Sequence, residues 1–183
     1  MARLLKYLPN HYQQSIFEID FLVLQKEKIK VLMIDLDNTL VPYDVKRPSK
    51  EVIKLLEELQ TLNFTIIIVS NNSQKRVAEF LTGLPYLFVA KAHKPLKKAY
   101  RKALKLLPIQ HQTNEIAVIG DQIITDVLGG NKMDFYTILV DPILKQSDVW
   151  TTKFNRFLAR RVVRKIAKRY PNKYQEVLKD YAL

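Results

Sequence analysis

An α/β fold with a mainly parallel sheet is predicted, because apolar runs typical of buried strands alternate with stretches of helical periodicity. The strand-like runs recur at residues 31–36, 64–70, 86–90, 115–119 and 135–140. Apolar residues at helical spacing occupy most of the segments between them. In such a fold, helices cover both faces of the sheet, and ligands bind beyond the carboxyl ends of the strands.

The helices are predicted from periodicity and from capping residues. They are expected at residues 49–62, 73–82, 95–107, 123–129 and from Trp150 to about Arg169. Ser49 is the expected N-cap of the first of these helices. Gly129 and Gly130 are expected to end the short fourth helix, and Pro171 prevents the last one from continuing.

Length and composition exclude several classes of protein. At 183 residues the chain has the size of one ordinary domain, and the absence of cysteine excludes disulfides and thiolate metal sites. The first residues are too interrupted for the apolar segment of a signal peptide. The longest strongly apolar run, residues 64–69, is far shorter than the roughly 20 residues that span a bilayer. We therefore expect a cytoplasmic protein, either free or peripheral on the inner face of the membrane.

The most informative segment is Asp35-Leu36-Asp37-Asn38-Thr39, directly after the apolar run Val31–Ile34. Side chains alternate along an extended chain, so two carboxylates two residues apart can project to the same side. Crowded anions at the end of a buried strand destabilise it unless a cation, a proton or hydrogen bonds compensate their charge. A divalent metal is the compensator that we favour, and this indicates a site that handles phosphate.

Polar residues also follow two other predicted strands. Ser70-Asn71-Asn72 follows the second strand and Gly120-Asp121 the fourth, while Lys94 comes after the third. The carboxyl ends of parallel strands meet at one edge of the sheet, so we expect these residues to share a crevice with the first motif. Each of these loops could be solvated by chance, but three polar strand ends at one crevice form a much more specific pattern.

Phosphoryl transfer through a covalent intermediate assigns a role to each candidate. Asp35 is the candidate nucleophile, and Asp37 is the candidate proton donor for the leaving group and activator of water. The predicted ligands of Mg²⁺ are the aspartates of the motifs, namely Asp35, Asp37, Asp121 and Asp126. Ser70, Asn71 and Lys94 are the candidate phosphate-binding groups, although a capping role for Asn71 and a solvated surface position for Lys94 remain alternatives.

These motifs together resemble those of the haloacid dehalogenase (HAD) superfamily. The chain contains, in order, Asp35-Leu36-Asp37, Ser70 after a strand, Lys94-Pro95, and Gly120-Asp121 with Asp126. The resemblance implies a Rossmann-like core with five strands and the phosphoaspartate mechanism described above. An aspartate at position 37 implies a phosphatase within that superfamily.

A narrower resemblance covers most of the chain. The segments beginning at Asp35, Ser70, Gly120 and Thr137, and the tail segment Thr152-Lys-Phe-Asn-Arg, resemble the YqeG-type group of subclass IIIA. That group is similar to the mitochondrial phosphatidylglycerophosphate phosphatases. Met133-Asp134-Phe135 departs from the pattern, because a small or glycine-containing turn is expected there.

The spacing of the motifs leaves no room for a cap domain. Only 32 residues separate Asp37 from Ser70, and 23 separate Ser70 from Lys94, enough for one helix and one strand in each gap. A lid normally excludes water and grips a small substrate. A capless enzyme must obtain its binding energy elsewhere, from a large substrate, a membrane surface or a neighbouring subunit.

The C-terminal region concentrates the basic charge. Residues 149–183 contain 10 Lys/Arg and 2 Asp/Glu, whereas the whole chain has a net charge of +12. We therefore divide the chain into a catalytic core at 1–148 with an N-terminal extension, and a basic helical tail at 149–183. The candidate membrane contacts of that tail are Trp150, Phe154, Phe157, Arg160, Arg161, Arg164 and Lys165. The alternative is that the apolar face of this helix packs on the core and leaves a solvated basic face.

The leading hypothesis is a Mg²⁺-dependent phosphatase for a membrane lipid phosphomonoester, with phosphatidylglycerophosphate as the specific substrate. An anionic membrane surface is the expected partner. One alternative is a phosphatase for nucleic-acid ends, phosphoproteins or soluble metabolites. Another is a non-catalytic protein that binds RNA or the ribosome, since Lys/Arg with aromatic residues also suits nucleic acid. The sequence does not indicate the oligomeric state.

Overall fold

The computed structural model describes residues 2–144 and 150–181, with the side chains of residues 2, 3 and 150–153 excepted. Its centre is a parallel sheet with the strand order β1-β6-β5-β2-β3-β4. The strands are β1 (His11–Gln13), β2 (Val31–Ile34), β3 (Thr65–Val69), β4 (Leu87–Val89), β5 (Ile116–Gly120) and β6 (Tyr136–Val140). The predicted α/β class with a parallel sheet is confirmed.

The described residues contain six strands, so the predicted count of five is wrong by one edge strand. The additional strand, β1, pairs with β6 through three residues of the sequence His-Tyr-Gln. A polar, partly exposed segment of this length has neither the apolar run nor the alternation that identifies a strand in a sequence. The five predicted strands are all present, although β2 ends at Ile34, so that Asp35 and Asp37 lie in the loop after it.

Helices cover both faces of the sheet, as expected from the alternation of elements. The described helices are α1 (Ala2–Leu5), α2 (Phe21–Lys26), α3 (Lys50–Thr61), α4 (Gln74–Phe80), α5 (Lys97–Leu104), α6 (Leu128–Lys132), α7 (Trp150–Arg169) and α8 (Pro171–Val177). Ser49 caps α3 and Ser73 caps α4, each by accepting a backbone N–H bond through its side chain. Only α3 with β3, and α4 with β4, lie between the motif residues, so the capless prediction holds within residues 38–93.

The prediction that Gly129 and Gly130 end the fourth predicted helix is wrong. A π-helical turn at Ile123–Val127 leads directly into α6, which passes through both glycines and ends at Lys132. The reason is close packing, since a Cβ on Gly129 would collide with the Tyr100 side chain and one on Gly130 with Thr137. These glycines therefore bring α6 against α5 and β6, and they do not mark a helix end.

The C-terminal helix α7 packs on the core. Its buried residues Ala159, Val163 and Ile166 join a cluster with the π-helical turn and β6. Phe154 and Phe157, by contrast, are exposed, as are the candidate membrane contacts Arg160, Arg161, Arg164 and Lys165. The side chain of Trp150 and the predicted boundary between residues 148 and 149 lie outside the described part of the chain. No helix in that part is long and apolar enough to cross a membrane.

Candidate active site

Three carboxylates from two adjacent strand ends meet at the carboxyl edge of the sheet. Asp35 follows β2, while Asp121 and Asp126 follow β5 and lie in or beside the π-helical turn. One oxygen from each carboxylate lies within 4.8 Å of the others, and all three residues are buried. The register of the strands brings them together, because Ile34 pairs with Ile119 and the two chains leave the sheet side by side.

Lys94 joins two of these carboxylates. Its Nζ donates hydrogen bonds to Asp35 Oδ1 and Asp126 Oδ1, both at 2.6 Å. Burial lowers the pKa of Lys94, but the Asp126 and Asp35 carboxylates outweigh burial and leave that pKa above its usual value. Lys94 is therefore a fixed cation inside the cluster, which excludes the solvated surface position left open by the sequence.

Burial has the largest effect on the pKa values of two of the three carboxylates, Asp35 and Asp121. It raises the pKa of Asp35 well above the ordinary value, although Lys94 opposes the shift. It also raises the pKa of Asp121 to about 7, and Arg156 opposes that shift. Both carboxylates are costly to ionise in the absence of a further cation.

The residues present fit a divalent metal. Asp121 Oδ1 is buried and has no hydrogen-bond partner among the described residues, which is a costly arrangement for a carboxylate oxygen unless another ligand satisfies it. The donors are carboxylate oxygens, which hard cations such as Mg²⁺ prefer, and the charge of three aspartates exceeds that of Lys94 and Arg156. Asp35, Asp121 and Asp126 are thus the residues that would hold the ion.

Asp37 lies outside this carboxylate cluster. Its Oδ1 accepts hydrogen bonds from Arg76 Nη2 at 2.9 Å and Nε at 3.2 Å, and its Oδ2 accepts one from Asn72 at 3.1 Å. Arg76 lies in the first turn of α4 and is mostly buried, so the pair is a shielded contact at the mouth of the crevice. The side chain of Asp37, included in the predicted metal set, is thus directed to α4 and not to the cluster.

The second motif supports the Lys94 loop. Asn71 Oδ1 accepts a hydrogen bond from Lys94 N at 2.7 Å, and Asn71 Nδ2 donates one to Lys94 O at 3.2 Å. Ser70 is buried at the end of β3, and its Oγ accepts a hydrogen bond from Asn72 N at 3.0 Å. The structure therefore gives Asn71 a positioning contact with Lys94, and it leaves the hydroxyl hydrogen of Ser70 available to donate.

The π-helical turn holds Asp126 in place. Asp126 Oδ2 accepts hydrogen bonds from Thr125 Oγ1 at 2.9 Å and from Gln122 N at 3.2 Å, while Oδ1 contacts Lys94. Tyr100 of α5 donates to Thr125 O at 3.1 Å and so fixes the same turn from below. Short π-helical segments frequently mark functional sites, because they redirect a side chain that a regular helix would present elsewhere.

The C-terminal helices contact the fourth motif directly. Arg156 of α7 donates a hydrogen bond to Asp121 Oδ2 at 2.9 Å, and the neighbouring Asn155 donates one to Gln122 at 3.1 Å. Tyr181, after α8, donates its hydroxyl hydrogen to Asp121 O at 3.0 Å. The segment predicted to be a basic tail therefore supplies a buried ion pair to one of the candidate metal ligands.

Sequence reasoning missed Arg76, Arg156 and Tyr181. Arg76 follows Ser70 by six residues, but nothing in that spacing indicates a partner 39 residues earlier in the chain. Arg156 belongs to the segment Thr152-Lys-Phe-Asn-Arg that contributed to the family resemblance, and this was the one available signal. Helical periodicity alone does not distinguish it from the exposed cations of the same helix.

Fold and site together define a class: a Rossmann-like enzyme with a buried, metal-compatible carboxylate cluster at the ends of its parallel strands. A profile of the haloacid dehalogenase-like hydrolases matches residues 10–134. The chain belongs to this family, and the predicted resemblance to the haloacid dehalogenase superfamily is confirmed.

Among its relatives is the probable phosphatase YqeG of Bacillus subtilis, with 38% identity over 157 residues, which covers 86% of this chain and 90% of that protein. Two solved structures share the fold at a TM-score of 0.50 each. One is the cobalt-bound deoxy-D-mannose-octulosonate 8-phosphate phosphatase of Haemophilus influenzae, with 15% identity over 81% of this chain and 98% of that one. The other is an uncharacterized protein of Listeria monocytogenes, with 17% identity over 73% of this chain and 99% of that one.

Proposed function

We propose that this chain is a Mg²⁺-dependent phosphatase that forms a phosphoaspartate on Asp35 and acts on the phosphomonoester of a membrane lipid. The observation that carries the proposal is the cluster of Asp35, Asp121 and Asp126 around Lys94, because it combines a nucleophile with charge compensation at the strand ends. Similarity to a probable phosphatase over most of both chains supports the reaction class.

In the first step, a carboxylate oxygen of Asp35 attacks phosphorus as the bond between phosphorus and the leaving oxygen breaks. Lys94 Nζ holds Asp35 Oδ1, so the nucleophile is fixed in orientation and the second oxygen is left to attack. Asp37, two residues further on, donates a proton to the leaving oxygen. The alcohol departs, and the phosphoryl group remains on Asp35 as an acyl phosphate.

In the second step, water attacks the phosphorus of the acyl phosphate, and Asp37 takes up its proton. Arg76 and Asn72 orient Asp37 for this role, because both donate hydrogen bonds to its carboxylate. The oxygen–phosphorus bond to Asp35 breaks, inorganic phosphate leaves, and the carboxylate is restored. Ser70 Oγ, at the end of β3, is the group that we propose to bind a phosphoryl oxygen.

Asp35, Asp121 and Asp126 would hold a divalent ion, which would supply the positive charge that an anionic phosphate needs to approach an anionic nucleophile. Mg²⁺ is our choice, because it accepts a small number of carboxylates together with water and phosphate oxygens. Lys94 and Arg156 alone leave one negative charge in the cluster, so they do not replace the ion.

A lipid substrate is proposed from the capless core and the basic helix. With one helix and one strand between the motifs, residues 38–93 supply no lid with which to grip a small substrate. The exposed side of α7 carries arginines and lysines together with Phe154 and Phe157, a combination that suits the interface of an anionic bilayer. Phosphatidylglycerophosphate is the specific substrate that we propose, with the enzyme peripheral on the inner face of the membrane.

Phosphate release tests this proposal. The purified protein is assayed with phosphatidylglycerophosphate in mixed micelles, a phosphorylated oligonucleotide, a phosphopeptide and a small soluble phosphomonoester. We expect turnover of the lipid to exceed that of the others, to be lost in EDTA and to return with Mg²⁺. Equal or better turnover of the oligonucleotide would replace the lipid assignment with the nucleic-acid alternative, and metal-independent turnover would refute the proposed mechanism.

A variant of the tail separates membrane access from chemistry. Replacing Arg160, Arg161, Arg164 and Lys165 with glutamine removes exposed cations that lie outside the four motifs. We expect weaker flotation with anionic vesicles and slower hydrolysis of membrane-presented lipid, while hydrolysis of the soluble ester changes little. Unchanged flotation in a variant of native stability would show that α7 serves only as a packed element.

A further inference from the structure

A second basic surface lies on α5, apart from the tail. Its exposed residues Lys97, Lys98, Arg101 and Lys102 belong to a helix that contains no acidic residue. The sequence is free of aspartate and glutamate from Phe80 to Asn114. This surface begins three residues after Lys94, so it starts at the carboxyl edge of the sheet, where the catalytic cluster lies.

α5 and α7 lie on the same face of the sheet. Residues Ala99, Tyr100 and Ala103 of α5 pack in a cluster with Val118 of β5. Val118 pairs with Thr137 of β6 in parallel register, so Thr137 and Leu139 point to that face as well. Leu139 packs in one cluster with Ala159, Val163 and Ile166 of α7. The two helices therefore flank the fourth motif in a single layer.

The opposite helical layer has a different charge. There α3 carries Glu51, Glu57 and Glu58 beside Lys50 and Lys54, and α4 carries Glu79 beside its cations. By contrast, neither α5 nor α7 contains an acidic residue. The positive surface of the folded core is therefore concentrated on one face, where both acid-free helices lie.

Exposed apolar side chains accompany the cations of both helices. Leu96, directly before α5, is 57% exposed, while Phe154 and Phe157 of α7 are 51% and 54% exposed. Arg161 lies over the ring of Phe157 at 5.5 Å, so the aromatic and cationic groups are presented together. Large apolar groups that project among lysines and arginines suit the boundary between headgroups and acyl chains.

We propose that α5 is a second docking element for an anionic bilayer, and that it acts together with α7 to hold the catalytic edge of the sheet close to the lipid surface. The choice of partner rests on the lipid substrate proposed above. Two basic helices on one face engage a flat polyanion simultaneously, so their contributions multiply. A single docking helix would hold the protein at the membrane but would leave the direction of the crevice undetermined.

Vesicle binding of two matched variants tests this proposal. The first replaces Lys97, Lys98, Arg101 and Lys102 with glutamine. The control replaces Lys26, Lys28, Lys50 and Lys75, which are four exposed lysines on the opposite helical layer, with glutamine. Each variant loses the same net charge, and none of these residues belongs to the proposed catalytic machinery. Both variants must have the same midpoint of thermal unfolding, so that a difference in vesicle binding does not reflect a difference in folding.

Flotation is measured with vesicles made of equal parts of phosphatidylcholine and phosphatidylglycerol. We expect the α5 variant to bind at least about ten-fold more weakly than the control, whereas the control stays within a few-fold of the wild type. Hydrolysis of a soluble phosphomonoester should be unchanged in both variants. If both variants bound the vesicles equally weakly, the proposal would be wrong, because the loss of net charge alone would then explain the weaker binding.

Two further outcomes keep this proposal distinct from the proposed function. The wild-type protein could bind vesicles in a way that depends on α5 and yet hydrolyse no lipid phosphate. This result would refute the lipid substrate, but the docking element would remain supported. If the α5 variant lost binding to a structured RNA while vesicle binding remained at the wild-type level, the surface would be a nucleic-acid interface and the membrane proposal would be wrong.

Discussion

The two sides of the carboxylate cluster are compensated in different ways. On one side, Asp35 and Asp126 share Lys94, and all three residues belong to motifs that the sequence displays. On the other side, Asp121 is paired with Arg156 from the C-terminal helix α7. The first arrangement is built within the catalytic core, whereas the second requires a helix that packs onto the core from outside the profile match at residues 10–134.

This difference gives the C-terminal helix two faces with separate roles. The face that contains Asn155, Arg156, Ala159 and Val163 contacts the fourth motif and the core. The face that contains Arg160, Arg161 and Arg164 is exposed. The helix therefore packs on the core and also presents a basic surface, so the two alternatives that the sequence left open are compatible.

The largest effect is expected from Asp35→Asn, which acts on the core side. The amide cannot attack phosphorus, so we expect turnover to fall by roughly 10⁴-fold or more. Lys94 keeps its contact with Asp126, and a buried carboxylate that is costly to ionise is removed. The metal-free variant should therefore unfold at a temperature no lower than the wild type. Phosphate release and thermal unfolding measure the two expectations, and full activity in a folded variant would remove Asp35 as nucleophile.

Arg156→Gln addresses the other side and should have an intermediate effect. Groups that hold a metal ligand by hydrogen bonds typically contribute about 10–100-fold to metal affinity or activity, and we expect a loss in that range near neutral pH. Arg156 lowers the pKa of Asp121, so its removal raises that pKa further and favours the protonated ligand. Calorimetric titration with Mg²⁺ measures the loss, which should diminish as the pH is raised.

Arg160→Gln is the matched control for this experiment, because Arg160 lies one turn further along α7 and is exposed. It should leave Mg²⁺ binding at the wild-type level. If the Arg156 and Arg160 variants bound Mg²⁺ equally well, the ion pair with Asp121 would be a structural contact without influence on the metal site.

The comparison also shows which parts of the site could be predicted from sequence. Strand ends carry their functional residues in short segments, so Asp35, Asp121 and their neighbours were identifiable from an apolar run followed by polar residues. The sheet register then brings these segments together without further information. The fold class was predictable for the same reason, since buried parallel strands are continuous apolar runs.

Contacts between distant segments were not predictable in this way. Arg76 reaches Asp37 and Arg156 reaches Asp121 across 39 and 35 positions, and each arginine lies on a helix where the other cations with described side chains are exposed. Helical periodicity shows which residues share a face, but it does not show which strand end that face meets. The edge strand β1 was missed because its three residues are polar and partly exposed.

A smaller effect is expected from Arg76→Gln, which tests a cation at the mouth of the crevice. Arg76 donates two hydrogen bonds to Asp37 Oδ1. Without Arg76, the described hydrogen bond that remains to the Asp37 carboxylate is the one from Asn72. A less restrained Asp37 should lower kcat by about ten-fold with little change in KM, because proton transfer depends on orientation. Steady-state kinetics on a soluble phosphomonoester measure both constants. The control is Lys75→Gln, at the exposed neighbouring position on α4, which should behave as the wild type. If the Arg76 and Lys75 variants had the same kcat, a positioning role for Arg76 would be excluded.

The last expected effect concerns stability and not turnover, and it is a dependence on pH that originates on the Asp121 side. The pKa of Asp121 is raised from 3.8 to about 7, chiefly by burial, so between these values the folded protein retains a proton that the unfolded chain releases. The free energy of unfolding of the metal-free protein therefore falls as the pH rises through this window, by up to about 1.4 kcal/mol per pH unit for a full proton. Above about pH 7 the folded state has also released the proton, and this contribution becomes constant.

Asp121→Asn removes the titrating group, so the comparison with this variant isolates its contribution. The difference in unfolding free energy between wild type and variant should change from about pH 4 to pH 7 and remain flat above that window. Urea unfolding at a series of pH values in EDTA measures it. Saturating Mg²⁺ should abolish the dependence in the wild type at neutral pH, because the metal takes the carboxylate in its ionised form. A pH-independent difference in EDTA would show that Asp121 is already ionised at low pH in the folded, metal-free protein, and that Arg156 compensates it fully.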